Sequence, residues 1–335
     1  MTPEALWTLA GVAAALSGST LALLLRFAAR LPHDLPGPRS LHETPMPRIG
    51  GLAVWAGTLP SALVAPPAVP GPWPVWLLAA GVVAGVSLID DCRGVHPVTR
   101  LASHFAAAVA VAIVLLRSGP ELTPVGAGLA VGGSALLLVW AANLYNFMDG
   151  SDGLAATMGV CGFGAYGIAA GMAGAPGAVY VGLAAATLPF LALNLPPARM
   201  FLGDVGAVPM GFLAAALGLG GWRGGTWPAW FPVLVFLPFI ADATVTLGKR
   251  IWRREHVWEA HKMHYYQRLH QLGAGHRGTL LVFGFLMSGT AASALFTLAA
   301  DPAAGWIVIA AWSVAMATFF SGIDYHWRHR TPARR

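Results

Sequence analysis

The chain has 335 residues, of which 56% are hydrophobic and only 10% charged, and its mean hydropathy is +0.65. A soluble globular domain averages roughly 25% charged residues, so this composition excludes a disordered chain, a nucleic-acid-binding module and a water-soluble enzyme. The net charge of +6 accordingly points to the cytoplasmic side of a membrane and to no nucleic acid.

Apolar runs recur at about 5–27, 49–66, 74–89, 101–117, 126–142, 153–173, 177–194, 205–220, 228–248, 278–299 and 303–322. A helix needs about 20 apolar residues to cross a hydrocarbon core, and several of these runs are shorter. They predict an all-α, polytopic integral membrane protein of about 11 (10–11) transmembrane helices. No repeat or soluble segment interrupts them, so residues 1–335 read as a single membrane domain. Glu4 precedes the first run, and Arg26 and Arg30 follow it, which suits a retained span better than a cleaved signal peptide. Cys92 and Cys161 match no disulfide framework and no metal-ligand spacing.

With the N-terminus outside, the loops at about 28–48, 90–100, 143–152, 195–204 and 249–277 and the C-terminus are cytoplasmic. Of the 20 Lys and Arg, all except Arg117 and Arg223 then fall on the inner side, Arg39, Arg334 and Arg335 among them. Among the acids only Glu4, Glu121 and Asp301 fall outside. Any chemistry therefore belongs to the cytoplasmic face. A transporter or flippase carries its polar groups near mid-membrane, whereas these cluster at span ends, as an interfacial enzyme requires.

Asp90-Asp91 closes the third run. Two adjacent carboxylates at a helix C-terminus oppose the macrodipole and each other, so they need a cation, a proton or a basic partner; Arg93 and Arg100 are at hand for an ion pair. Between the fifth and sixth runs, Asn143, Asn146, Asp149 and Asp152 recur every third residue, which on a helix would align them on one face. These hard oxygen ligands suit Mg²⁺ or sugar hydroxyls; a plain turn, with Asp152 capping the sixth helix, is the structural alternative. Asp204, in Phe201-Leu202-Gly203-Asp204, reads as an N-cap at a positive helix end, which is compatible with a helix start that receives phosphate. Asp242 lies inside the ninth run, as a functional acid or as a structural partner of Lys249. In the long inner loop His261 and His264 share a helix face with Arg268 one turn on, in a pattern that fits phosphates and lacks zinc spacing.

Taken together and in order, Thr44-Pro45-Met46-Pro47-Arg48-Ile49-Gly50-Gly51, the Asp90-Asp91 pair, the 143–153 run, Phe201-Leu202-Gly203-Asp204 and the histidine loop carry a family likeness. Over roughly residues 33–270 the chain resembles the polyprenyl-phosphate N-acetylhexosamine-1-phosphate transferases. The resemblance implies attack by undecaprenyl phosphate on a UDP-N-acetylaminosugar at the cytoplasmic face of a bacterial inner membrane, among membrane lipids, with UMP released. It implies Mg²⁺, with Mn²⁺ as substitute, on Asp204 and Asp91. Asp90, Asp91 and His264 become catalytic, with one of the acid pair deprotonating or orienting the lipid phosphate. Asn143, Asn146, Asp149, Asp152, His261, Arg268, Arg48 and Arg100 become the nucleotide and sugar-phosphate contacts, and a homodimer is implied as well. The chain departs from the family at His261-Lys262-Met263-His264-Tyr265-Tyr266-Gln267-Arg268. Tyr266-Gln267 replace the last two histidines of the common branch, which leans towards the O-antigen-initiating branch and a 6-deoxy or dideoxy donor, and away from a MurNAc-pentapeptide donor.

Overall fold

The computed structural model describes residues 1–37, 41–42, 44–117, 122–256 and 261–330. Arg39, Glu121, Arg334 and Arg335 lie outside them. Every apolar run falls on helix. In chain order the helices are α1 (Pro3–Arg26), α2 (Gly51–Val64), α3 (Trp73–Arg93), α4 (Pro97–Arg117), α5 (Pro124–Phe147), α6 (Leu154–Met172) and α7 (Ala178–Asn194). They continue with α8 (Asp204–Arg223), α9 (Trp230–Val235), α10 (Leu237–Trp252), α11 (Tyr265–Leu269), α12 (Gly275–Ala300) and α13 (Gly305–Arg330). The termini follow local chemistry. Thr2 Oγ1 accepts from Ala5 N at 3.3 Å ahead of Pro3, and Thr123 Oγ1 accepts from Gly126 N at 3.2 Å ahead of Pro124, where a missing N–H costs nothing.

Among the described residues eight helical runs are long and apolar enough to cross a membrane: α1, α3, α4, α5, α6, α8, the run Tyr265–Ala300 and the run Pro302–His329. The other three expected spans differ for visible reasons. α2 has 14 residues and α7 has 17. At 1.5 Å per residue they measure about 21 and about 26 Å, short of a core of about 30 Å. The ninth run breaks at Phe236 into α9 and α10, two residues before Pro238, whose nitrogen cannot donate to the preceding turn.

α8 is the axis of the bundle. It packs against α2, α3 and α5, and its residues are buried along most of its length. At its crossing with α2 the backbones meet glycine to glycine: a Cβ on Gly51 would lie 2.3 Å from Gly206 Cα. A two-residue pairing of His33–Asp34 with Met46–Pro47 ties the loop before α2 into the same end. The C-terminal ends of α3, α5 and α7 and the N-terminal ends of α4, α6, α8 and α12 gather there, which is where the polar motifs lie.

Candidate active site

Neighbouring residues on a helix point about 100° apart, so Asp90 and Asp91 serve different partners. The Asp90 carboxylate pairs with Arg100 at the start of α4 and accepts from Val95 N at 2.7 Å. Arg100 also donates to Asp204 Oδ2 at 3.2 Å, which joins α3, α4 and α8 through one guanidinium. Asp91, only 4% exposed, turns the other way. Its Oδ1 accepts from Asp204 N at 3.2 Å and its Oδ2 from Val205 N at 2.8 Å, so it caps α8 from another helix. Arg48 donates to the Asp91 carbonyl at 2.6 Å, and its Nε lies 3.6 Å from Oδ1. The predicted need for basic partners is thus met by Arg100 and Arg48, while Arg93 is exposed.

Arg48 is delivered by an extended segment along the α8 approach. Phe201 N donates to Pro47 O at 2.8 Å, Gly50 N to Phe201 O at 2.9 Å and Gly51 N to Leu202 O at 2.8 Å. Gly203 makes this possible: its φ is +74°, and a Cβ there would lie 1.9 Å from Arg48 O. The first amides of α8 are taken, two by Asp91 and those of Gly206 and Ala207 by Gly203 O. The helix start therefore offers no free anion nest, contrary to the phosphate-binding reading.

The 143–153 run is not one helical face, because α5 ends at Phe147. Asn143 Nδ2 donates to Val139 O one turn back at 2.8 Å and stays with its own helix. Asn146 reaches the Asp204 carboxylate. Asp149 is half-buried in the turn beyond. Burial first, then the carboxylates of Asp204, Asp91 and Asp152, push its carboxyl well above the usual carboxylate range. Asp152 does not cap α6, whose N-cap is Gly153 with φ +76°. It accepts from Ala198 N at 3.0 Å and lies 3.6 Å from His276 Nδ1, bracing the loop before α8. Asn194 completes that brace, accepting from Gly153 N and donating to Met200 O, both at 2.8 Å.

Asp242 is wholly buried, and its partner is not Lys249. It accepts the first amides of α11, from Tyr265 N and Tyr266 N, both at 2.9 Å, and lies 3.2 Å from His264 Nδ1. A carboxylate only accepts, so a proton on His264 Nδ1 would bond to Asp242 and leave Nε2 for other partners. His261 stacks on His264 at 5.0 Å; burial, with His264 and Arg250 beside it, holds its imidazole down to about 4, so it is neutral at pH 7. Tyr266 Oη donates to Phe147 O at 3.0 Å, which ties this loop to the Asp149 turn. Gln267 Oε1 accepts from His264 N at 3.2 Å. Tyr266 and Gln267 are both buried and committed to internal bonds. Arg268 is 4% exposed and pairs with Asp324 on α13, away from the acid cluster. Lys249 pairs with the same Asp324. Sequence reasoning passed over Asp324 and Asn194, which carry no motif and meet their partners only through the fold.

The acids fit a hard divalent cation by donor chemistry, since Asp149 sits among carboxylates that repel its charge and a cation would relieve it. Both Asp91 oxygens are engaged by α8, which leaves Asp204 and Asp149 as the acids able to turn to an ion. Among the described residues no three His, Cys, Asp or Glu side chains form a closed metal cage. Mg²⁺ asks for none: it usually takes one or two carboxylates and completes its shell with water and substrate phosphates.

Residues 73–221 match the model of glycosyl transferase family 4. The decaprenyl-phosphate N-acetylglucosaminephosphotransferase of Mycobacterium tuberculosis is 30% identical over 341 residues, covering 87% of this chain and 83% of that protein. A probable undecaprenyl-phosphate N-acetylglucosaminyl 1-phosphate transferase of Bacillus subtilis is 28% identical over 273 residues, covering 76% and 75%. The undecaprenyl-phosphate alpha-N-acetylglucosaminyl 1-phosphate transferase of Yersinia pestis is 32% identical over 197 residues, covering 54% and 53%.

Proposed function

Because this chain belongs to glycosyl transferase family 4, we propose that it transfers an N-acetylaminosugar 1-phosphate from a UDP-sugar to undecaprenyl phosphate and releases UMP. The observation that carries the reading is the convergence of Arg48, Arg100 and the carboxylates of Asp90, Asp91, Asp149 and Asp204 at one end of a membrane-spanning bundle. An oxygen of the lipid phosphate bonds to the β-phosphorus of the donor. The bond from that phosphorus to the bridging oxygen breaks, and the oxygen leaves on UMP.

Both substrates are anions, so the protein's main task is to neutralise and align them. The second pKa of a phosphate monoester is about 6, so at neutral pH the lipid phosphate is mostly dianionic and needs orientation more than deprotonation. Arg100, held by Asp90, and Arg48, held by Asp91, supply fixed positive charge. His264, oriented through Nδ1 by Asp242, offers Nε2 towards the donor phosphates. Asp204 and Asp149 would hold Mg²⁺, or Mn²⁺ in its place; when bound, the ion would offset the charge that builds on the departing UMP. The three relatives carry N-acetylglucosamine in their names, so UDP-N-acetylglucosamine is the first donor to offer and a 6-deoxy relative the second. A carrier of lipid-linked sugars would set its acids at mid-membrane, whereas these close or open helices.

The balance of Arg and Lys across the loops supports an active site facing the cytoplasm of a bacterial inner membrane. Sealed vesicles from cells overproducing the protein test function and sidedness together, because UDP-sugars do not cross bilayers. Inside-out vesicles given labelled UDP-N-acetylaminosugar are expected to build labelled lipid diphosphate, lost with EDTA and restored by Mg²⁺. Labelling confined to right-side-out vesicles would overturn the orientation.

A further inference from the structure

α11 has five residues, too few to hold a helix alone, so its placement is imposed by what grips it. One grip is Asp242, beneath its N-terminus. The other comes from the last helix. On α13, Phe320, Asp324 and Trp327 follow one another at four- and three-residue steps and share a face. Phe320 stacks flat on Tyr265, with centroids 3.9 Å apart and planes 11° apart. Asp324 Oδ1 accepts from Arg268, and its Oδ2 accepts from Lys249 and, at 3.2 Å, from Tyr265 Oη. The Arg268 guanidinium lies 5.2 Å over Tyr265 and 5.5 Å over Trp327. One carboxylate thus neutralises two cations from two elements and fixes the phenol between them.

We propose that Asp324 is a positioning residue for the donor end of the active site, a role that rests on the transferase reading. It acts through Tyr265 and Arg268 on α11, whose N-cap is His264, and through the neighbouring Tyr266 on the Phe147 carbonyl and the Asp149 turn. Without it, Arg268 and Lys249 lose their shared counter-ion, and α11 is free to rotate about the Asp242 contacts. His264 Nε2 and Asp149 then lose their registry with the donor diphosphate. The Asp91–Arg48 and Asp90–Arg100 pairs, which join α3, α4 and α8, are untouched.

Outer-layer supports of this kind are worth about 10–100-fold, so Asp324→Asn is expected to raise the KM for UDP-sugar by at least about tenfold. The KM for undecaprenyl phosphate should stay unchanged, and Asp324→Glu should recover part of the loss. Thermal melting measured alongside reports folding. A lower folded fraction with both KM values unchanged, or equal rises in both, would overturn the proposal and leave Asp324 as a plain structural pair. Should Asp324→Asn fail to fold, Phe320→Leu loosens the same grip without stranding a cation, and the same split in KM decides. If the wild-type protein releases no UMP from any donor, it is the transferase reading that fails and not the placement of α11.

Discussion

Asp204→Asn lowers the rate of UMP release by about a thousandfold while the protein still inserts and folds, the scale expected when a group facing developing charge is removed. The variant keeps the shape of the side chain and removes its charge. Folding should survive, because an acid in a helix's first turn contributes only about 0.3–1 kcal/mol through the dipole, and Arg100 keeps Asp90 as partner. The backbone amide of residue 204, which Asp91 accepts, is unchanged. Initial rates with and without added Mg²⁺, read beside a melting curve, check this. Activity near wild type would remove Asp204 as the metal-facing acid and turn attention to Asp149.

Gly203→Ala is expected to abolish activity by a different route, through the backbone. At φ +74° and ψ 170°, backbone essentially reserved for glycine, a residue with a Cβ costs about 1–3 kcal/mol before any clash is counted. Here the added carbon would also lie 1.9 Å from Arg48 O and 2.8 Å from Asp91 Oδ2, so the segment carrying Arg48 must shift away from α8. That separates Arg48 from Asp91, the acid that aims it. The expected signature is a lower melting temperature together with loss of turnover. A stable, fully active Gly203→Ala protein would show that the close approach of these two segments is dispensable.

The membrane architecture was readable because burial in lipid is a property of runs of residues. Each apolar stretch became helix. What misled the reading was local. The ninth run looked continuous, although Pro232 and Pro238 inside it announce the break at Phe236. The three-residue spacing of Asn143, Asn146, Asp149 and Asp152 suggested a helical face that α5 does not extend far enough to make. The motifs did come together, but their roles depend on partners far along the chain. Asp91 finds its amides at positions 204 and 205, Asp242 its own at 265 and 266, and Arg268 its acid at 324. No spacing within a segment encodes such pairings.

The central claim is that this end of the bundle joins a sugar phosphate to a lipid phosphate. The most direct measurement uses purified protein in detergent with undecaprenyl phosphate, Mg²⁺ and UDP-N-acetylglucosamine or its 6-deoxy relative, offered one at a time. UMP is quantified and the lipid product is weighed by mass spectrometry. The account predicts UMP and undecaprenyl-diphospho-sugar in equal amounts from one of the donors, and neither product with EDTA or in the Asp204→Asn variant. Folded wild-type protein that forms no lipid diphosphate from either donor, or that forms it equally well in EDTA and in Asp204→Asn, would contradict it.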